Sequence, residues 1–255
     1  MMIKDYYRPQ TIAEALKLLS ETNSRPLGGG TALTQLTGES FSVVDLQSLG
    51  LDTITESANL LEIGATLTLQ GLLESPLLPS TLKAGLTLEA PLNQRNRRTV
   101  AGALITCNGR SPFATIMLAL DAKLTVLGKE TAVHALGDFL LAQPELLKFK
   151  LVTNIEIPLQ LKLAFETVGR SPADKPIICA ALAQWKSGRT RLALGGWGKV
   201  PTLALDGTDA SGIEEAARTC ASGAGDEWAS AEYRSEIAAI LAKRCLKSLS
   251  IGILE

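Results

Sequence analysis

Three consecutive glycines, Gly28 to Gly30, lie between Leu27 and Thr31 and constrain the fold of this chain more than any other segment. Glycine permits positive φ angles and close approach of the backbone to a partner, so successive amides in such a run can converge on phosphate oxygens. The run is not a Rossmann fingerprint, because Leu33 stands where the third glycine is needed, and no Gly-Lys-Ser/Thr follows to make a Walker A loop. The residues alone predict either a phosphate-binding loop or a flexible turn, and favour neither.

A second segment, residues 99–103 (Thr-Val-Ala-Gly-Ala), also lacks side-chain bulk. Such a backbone can lie flat against a ligand, but tight packing in a buried strand explains the same composition and is favoured when the segment is taken alone. Two segments of this kind in one domain, with almost no acid–base side chains nearby, indicate a large phosphate-bearing cofactor bound by the backbone.

The composition is that of a globular protein, since 46% of the 255 residues are hydrophobic and the net charge is −1. This charge balance argues against a nucleic-acid binder, which normally carries a basic surplus. Uncharged runs fall short of the ~18 apolar residues of a membrane span, and charged residues occupy the N-terminus where a signal peptide needs an apolar segment. We therefore expect a cytoplasmic protein with no membrane span.

Metal and nucleophile chemistry find little support in the sequence. His134 is the single histidine, which excludes mechanisms that need two. The four cysteines form no C-x-x-C motif that could hold zinc or an iron–sulfur cluster. We expect buried, reduced thiols and assign no catalytic residue and no metal ligand.

Local signals predict helices and strands along the whole chain. Thr11 and Glu14 form a capping box before a helix, and Ser111 with Pro112 begins another. After Pro158 three strand-like runs are followed by two helical segments, a pattern typical of a separate α+β domain. The three runs are residues 163–168, 177–185 and 190–195, and the helical segments are residues 211–221 and 230–249. The domain boundary is predicted near residue 160.

Motifs in a matching order along nearly the whole chain resemble those of the FAD-binding subunits of molybdenum hydroxylases. This family includes the medium subunits of xanthine dehydrogenase and aerobic carbon monoxide dehydrogenase. The motifs are Arg8-Pro9 with Glu14-Ala15-Leu16, residues 27–33, Val43-Val44-Asp45-Leu46, residues 61–65 with Thr68, residues 95–102, residues 118–122, Gly195-Gly196 and Tyr233-Arg234.

The resemblance implies an α+β fold in two parts. The first is an FAD-binding domain over residues 1–160, with subdomains of about 1–55 and 56–160. The second, residues 161–255, is a small α+β domain with a three-stranded antiparallel sheet and helices. The cofactor implied is FAD, with its pyrophosphate on the amides of the first glycine loop and the second glycine segment on the other side. The implied FAD contacts are Leu27, Gly28, Gly29, Gly30, Thr31, Ala32, Leu33, Thr99, Ala101, Gly102, Ala103, Ser111 and Thr115.

The chain departs from the family pattern at four positions. Ala101 and Ala103 replace a glycine and an asparagine of the second motif, Thr115 replaces an acid near the flavin, and Glu166 stands at a position that is often basic. Ser111 retains the family residue, although a role as helix cap is the favoured explanation for it. We expect FAD binding to survive, because backbone contacts dominate, in an altered flavin environment.

The function implied is that of an oxidoreductase flavoprotein subunit, active only within a complex. Its partners would be a large subunit with the molybdenum cofactor and a small subunit with two-iron two-sulfur clusters. FAD would collect electrons from those clusters and deliver them to NAD or a quinone, since the protein binds and tunes while the flavin carries the redox chemistry. The alternative is a scaffold subunit that keeps the fold and has lost FAD.

Overall fold

The computed structural model describes residues 2–20, 23–35, 40–142, 147–172 and 174–251. The strands are β1 (Met2–Tyr7), β2 (Ser24–Leu27), β3 (Ser40–Asp45), β4 (Ile54–Ser57), β5 (Leu60–Gly64), β6 (Lys123–Leu127), β7 (Thr131–Ala135), β8 (Leu151–Pro158), β9 (Leu161–Val168), β10 (Ile178–Trp185), β11 (Thr190–Gly195) and β12 (Thr202–Gly207). The helices are α1 (Ile12–Leu19), α2 (Leu69–Glu74), α3 (Ser80–Glu89), α4 (Leu92–Arg95), α5 (Val100–Ile105), α6 (Pro112–Ala119), α7 (Leu136–Leu141), α8 (Ile213–Ala221) and α9 (Ala231–Ile251).

The chain forms two compact units, and it passes between them more than once. The first unit contains Met1–Leu77, Ala90–Thr106 and Lys123–Glu156. The second unit contains Leu78–Glu89, Cys107–Ala122 and Ile157–Glu255. Two segments before residue 123 thus pack with the C-terminal residues. The sequence-based division at residue 160 stays a prediction about domains.

A parallel sheet in the order β1-β3-β2 begins the first unit. Its central strand β3 is buried on both faces of the sheet, as expected for a central parallel strand. Phe41, Val43 and Val44 are at most 1% exposed. The sequence predicts a short strand over residues 41–46 that ends at Asp45, and β3 confirms it. The Asp45 carboxylate accepts hydrogen bonds from the Tyr6 hydroxyl and from the amide of Gln47. The bond to this carboxylate raises the pKa of the Tyr6 hydroxyl.

Helix α1 covers this sheet and begins where the sequence predicts. The Thr11 hydroxyl accepts a hydrogen bond from the amide of Glu14 at 3.2 Å, which caps the helix. Ala15 and Leu19 turn inward and pack with Val44 and Leu46. The first unit also holds a second sheet in the order β4-β5-β8-β6-β7, in which β6 pairs antiparallel with both β7 and β8.

The second unit is built on an antiparallel sheet in the order β12-β11-β10-β9, covered by α8 and α9. The prediction of three strands is wrong, because Thr202–Gly207 adds a fourth. Among the described strands, β12 lies at the edge of the sheet and pairs with β11. Its residues are exposed or half-buried, although its apolar run Leu203-Ala204-Leu205 matches the run Leu192-Ala193-Leu194 of β11.

Helix α6 lies in the second unit, and all its residues are buried. Ser111 caps it by accepting a hydrogen bond from the amide of Ala114 at 3.0 Å, and Pro112 occupies the first helical position, as the sequence predicts. Within the described ranges, no helix combines the length and the apolar character that crossing a membrane requires.

Candidate functional site

A cavity of about 450 Å³ lies within the first unit. Its volume falls in the range of about 300–1,000 Å³ that is usual for small-molecule and cofactor sites. Three stretches of chain supply most of its wall: the glycine loop after β2, the start of α5, and the turn that leads into β8. Both glycine segments found in the sequence therefore face one cavity.

The glycine loop leaves the parallel sheet at the end of β2. Leu27 is the last residue paired with β3, and its carbonyl still accepts a hydrogen bond from the amide of Leu46 at 3.0 Å. Gly30 then adopts a φ of +74°, a conformation that L side chains rarely take. The amide of Thr34 donates to the Gly30 carbonyl at 3.1 Å, which closes the loop.

The two glycine segments contact each other directly. A Cβ atom added to Gly29 would lie 1.5 Å from the carbonyl oxygen of Arg97, and one added to Gly28 would lie 3.0 Å from Oγ1 of Thr99. The backbone of the loop therefore lies against the backbone that precedes α5. This packing is one reason for glycine at position 29, independent of any ligand.

The segment before and within α5 uses its own amides for folding. The amides of Val100 and Ala101 donate to the carbonyls of Leu67 and Ala65, at 2.8 and 3.2 Å. The amide of Gly102 donates to Oγ1 of Thr99 at 3.1 Å, which caps this short helix. The open expectation of a buried strand here is wrong, and the segment offers the cavity a smooth apolar face rather than free donors.

The amides of the glycine loop differ in this respect. Within the described part of the chain, the amides of residues 28–32 donate no hydrogen bond to a protein acceptor. Most backbone amides in folded proteins have a partner. A row of unpartnered donors beside a cavity is the arrangement that binds oxyanions.

The charge of the cavity wall has the matching sign. Arg25, Lys148 and Lys150 line it, and among the described lining residues there is no acidic side chain. The Arg25 guanidinium also lies over the ring of Phe41, 4.7 Å from its centroid. Cations and free amides in the lining suit a negatively charged diphosphate, and the small side chains of the second glycine segment leave room for the rest of a cofactor.

Most of the implied FAD contacts line the cavity. These are Gly28, Gly29, Gly30, Thr31, Ala32, Leu33, Thr99, Ala101 and Gly102. Leu27 and Ala103 are not among the lining residues; Leu27 belongs to β2 and Ala103 is only 1% exposed. Their contact with a cofactor stays a prediction.

Ser111 and Thr115 belong to the second unit, where other groups engage their hydroxyls. Ser111 donates to the buried carboxylate of Glu89 at 2.7 Å. Thr115 is fully buried and donates to the carbonyl of Ser111 at 2.8 Å, and Cys179 Sγ lies 3.6 Å from its hydroxyl. A role of either residue toward the flavin likewise stays a prediction.

Glu166 also lies in the second unit, on β9, where its charge acts on a cysteine of α9. Burial raises the pKa of the Cys245 thiol to about 12, and the negative charge of Glu166 adds to this rise. Glu166 pairs with Ala180 and lies on the same face of β9 as Ala164 and Val168, which pack in the core with the helices.

Sequence reasoning missed the turn Leu147–Lys150, which the structure places on the cavity wall. Lys148-Phe149-Lys150, an aromatic residue between two cations, was the available signal. Among the described residues, no group of three or more His, Cys, Asp or Glu side chains could hold a metal ion.

Comparison with known proteins agrees with this geometry. The profile of the family described as the FAD binding domain in molybdopterin dehydrogenase matches residues 1–160. The chain belongs to this family. As a member of this family it is an oxidoreductase flavoprotein, and its cofactor is FAD.

Solved structures share the fold over almost the whole chain. Quinoline 2-oxidoreductase from Pseudomonas putida 86 has a TM-score of 0.81 and 22% identity, and the match covers 98% of each chain. Carbon monoxide dehydrogenase from Oligotropha carboxidovorans has a TM-score of 0.80 and 25% identity, over 95% of this chain and 96% of the other. The enzyme from Hydrogenophaga pseudoflava has a TM-score of 0.80 and 21% identity, over 97% of each. No curated protein sequence is similar enough to count as a relative.

Proposed function

We propose that this chain is the FAD-binding electron-transfer subunit of a molybdenum hydroxylase complex, located in the cytoplasm. Bound FAD would supply the redox chemistry for electron transfer from the iron–sulfur clusters of a partner subunit to NAD or a quinone. The protein binds and orients this cofactor. Oxidation of the organic substrate belongs to a large partner subunit with the molybdenum cofactor.

The observation that carries the proposal is the row of unpartnered amides at residues 28–32, in a cavity whose charged lining residues are cations. Backbone donors need no particular side chain, so the alanines at positions 101 and 103 leave this part of the site intact. The alternative of an FAD-free scaffold is not favoured, because a cavity with such donors would have no use in a scaffold.

The relatives support the partner assignment. Three of the matching structures are carbon monoxide dehydrogenases; one is described as a copper- and molybdenum-containing enzyme and another as lacking its molybdenum–pyranopterin moiety. The matched chains are aligned over 96–97% of their length. Because the match covers almost the whole of those chains, we expect our chain to occupy the same position in a complex.

The test is to reconstitute the purified chain with FAD and measure stoichiometry by flavin absorbance. We expect one FAD per chain, and weaker binding as salt is raised, because the diphosphate meets cations. Arg25→Gln should weaken FAD binding and flatten the salt dependence, whereas Lys4→Gln, a cation on β1 outside the cavity lining, should change neither. A chain that bound no flavin in excess FAD would contradict the proposal.

A second measurement addresses the complex. Co-expressed with its molybdenum and iron–sulfur partners, the chain should co-purify with both and restore electron transfer from substrate to NAD or a quinone. Substrate hydroxylation by the isolated, metal-free chain would refute the subunit assignment.

A further inference from the structure

We propose that Phe149 is the platform on which the adenine ring of FAD stacks, and that Lys148 and Lys150 bind the adjoining phosphates. This inference rests on the proposed function, because it assigns one end of FAD to a part of the same cavity that neither the sequence motifs nor the family match identifies.

The first observation is the position of the ring. Phe149 lines the cavity, is 50% exposed, and supplies the one aromatic ring among the described lining residues. Single exposed apolar side chains are common on protein surfaces and need no explanation by themselves. An aromatic ring on the wall of a cofactor cavity presents a flat face that a nucleobase can use.

The second observation is the backbone beneath the ring. The amide of Lys150 donates to the carbonyl of Leu147 at 3.1 Å, which closes a four-residue turn with Phe149 in its third position. Phe149 has a φ of +59° there. Turns with positive φ at this position favour glycine or asparagine, and a bulky residue is a true outlier.

The positive φ of Phe149 has no evident purpose within the fold. A residue held at unfavourable φ persists where the surroundings require it or where function uses it. The core does not require this ring, since half of its surface is exposed. We infer that the ring serves a ligand.

The flanking lysines fit the phosphates that adjoin the base. Lys148 Nζ lies 5.5 Å from the centroid of the Phe149 ring. The stem of Lys150 is held against Gly128, where an added Cβ atom would lie 2.9 Å from its Cγ. Both lysines line the cavity. The ring and two cations therefore form one short segment of wall.

The covalent structure of FAD indicates that the adenine, rather than the isoalloxazine, is the ring that stacks on Phe149. One ribose separates the adenine from the diphosphate, whereas a five-carbon ribityl chain separates the isoalloxazine from it. Because Lys148 and Lys150 are the immediate neighbours of Phe149, the ring that stacks there is the one nearer to the phosphates. Stacking of a base on an aromatic side chain strengthens binding about five- to 150-fold.

The experiment compares FAD, FMN and ADP as ligands of the full chain by calorimetry and flavin fluorescence. We expect Phe149→Ala to weaken FAD and ADP about tenfold or more, and to leave FMN, which has no adenine, within about twofold. Phe149→Tyr keeps a stacking face and should bind all three like the wild type. Lys148→Gln with Lys150→Gln should flatten the salt dependence of ADP binding.

Phe149→Gly separates ligand binding from packing. Glycine accepts the positive φ, so the free variant should unfold at the same or a higher temperature than the wild type while binding ADP more weakly. A lower unfolding temperature with unchanged ADP affinity would show that the ring is a packing group and would overturn the inference.

The remaining outcomes distinguish the inference from the proposed function. A wild-type chain that binds no FAD refutes the proposed function. A wild type that binds FAD, with Phe149→Ala equal to it for both FAD and ADP, refutes only the role of Phe149. Equal losses for FMN and FAD would place the isoalloxazine on the ring and overturn the adenine assignment.

Discussion

Neighbouring glycines of the loop are fixed by different physical constraints. Gly29 faces the carbonyl of Arg97, which leaves no space for a Cβ atom, whereas Gly30 is fixed by its φ of +74°. Gly28 faces the side chain of Thr99 at 3.0 and 3.2 Å, where a shift of a few tenths of an ångström is enough to admit a Cβ atom. A single function cannot account for all three, although their amides share one cavity.

This difference predicts an order of effects on stability. Gly29→Ala should lower the free energy of unfolding by at least about 2 kcal/mol, because main chain must move to relieve the overlap. Gly28→Ala, the matched control, should cost less than about 1 kcal/mol, since the atoms at 3.0 and 3.2 Å belong to one side chain. Urea unfolding of both variants tests this. Equal costs would mean that the contact with Arg97 relaxes easily.

A buried thiol predicts how stability depends on pH. Burial raises the pKa of Cys179 from 9.0 to about 12. Because the folded pKa is the higher one, this stabilisation is complete below pH 9 and is lost as the pH rises toward 12. The slope is about 1.4 kcal/mol per pH unit for one such thiol.

Cys179→Ser should remove this slope, since serine does not titrate there and its hydroxyl can still pair with Thr115. The measurement is urea unfolding at several pH values between 9 and 11, with Cys179→Ser compared with the wild type. The wild type should lose about 1.4 kcal/mol more per pH unit than the variant. Parallel curves would show that the thiolate is accommodated in the folded state.

Among the elements of the second unit, an ion-pair network joins the end of α6 to β11 and β12. Asp121 adopts a φ of +57° and its carboxylate lies 3.0 Å from Arg189 Nη1 and 3.3 Å from Arg191 Nη1. Both arginines also pair with Asp206 of the edge strand. The hydrogen bond from Arg189 is the largest cause that lowers the pKa of Asp206.

Asp121→Asn separates the charge from the backbone conformation, because asparagine also tolerates positive φ. We expect a loss of about 1 kcal/mol, since the buried Arg191 keeps Asp206 as a partner and Arg189 is partly exposed to solvent. Asp121→Ala should cost about 1 kcal/mol more, from backbone strain. Thermal unfolding of the two variants measures the cost of losing the charge and the added cost of the backbone strain. An alanine variant as stable as the asparagine variant would exclude the strain.

The sequence predicted the features that depend on interactions between residues close together in the chain. Thr11 and Ser111 cap their helices through bonds to residues three positions on, so local patterns were sufficient. Strand β12 was missed although it contains Leu203-Ala204-Leu205, because a run of three apolar residues between Pro201 and Asp206-Gly207 does not by itself identify a strand. Residues 100–105 formed a helix rather than a strand, since a short apolar run does not separate the two.

The site followed the same rule. The glycine segments were visible as local composition, and the structure brings them together. The turn at residues 147–150 was not visible as part of the site, because its place on the cavity wall depends on the pairing of β8 with strands far away in sequence.

At the scale of the whole molecule, all residues that line the cavity belong to the first unit. The second unit has a core of its own, in which Ile178, Leu192 and Leu241 are fully buried. A ligand that binds only the folded protein must therefore stabilise at least the first unit, by an amount set by its concentration and affinity.

FAD should accordingly raise stability in a concentration-dependent way. At a free concentration of 100 times the Kd, the gain is about 2.7 kcal/mol if FAD does not bind the unfolded chain. The same linkage should appear locally as slower hydrogen exchange at the amides of residues 28–32, which have no acceptor within the described chain and gain phosphate oxygens on binding.

FMN at equal saturation should give the same global gain, since the gain depends only on the ratio of concentration to Kd. Because FMN lacks the adenine, it should leave exchange in segment 147–150 unchanged, whereas FAD slows it. Protection spread evenly over both units, with none concentrated at the loop, would contradict a cofactor held by these amides.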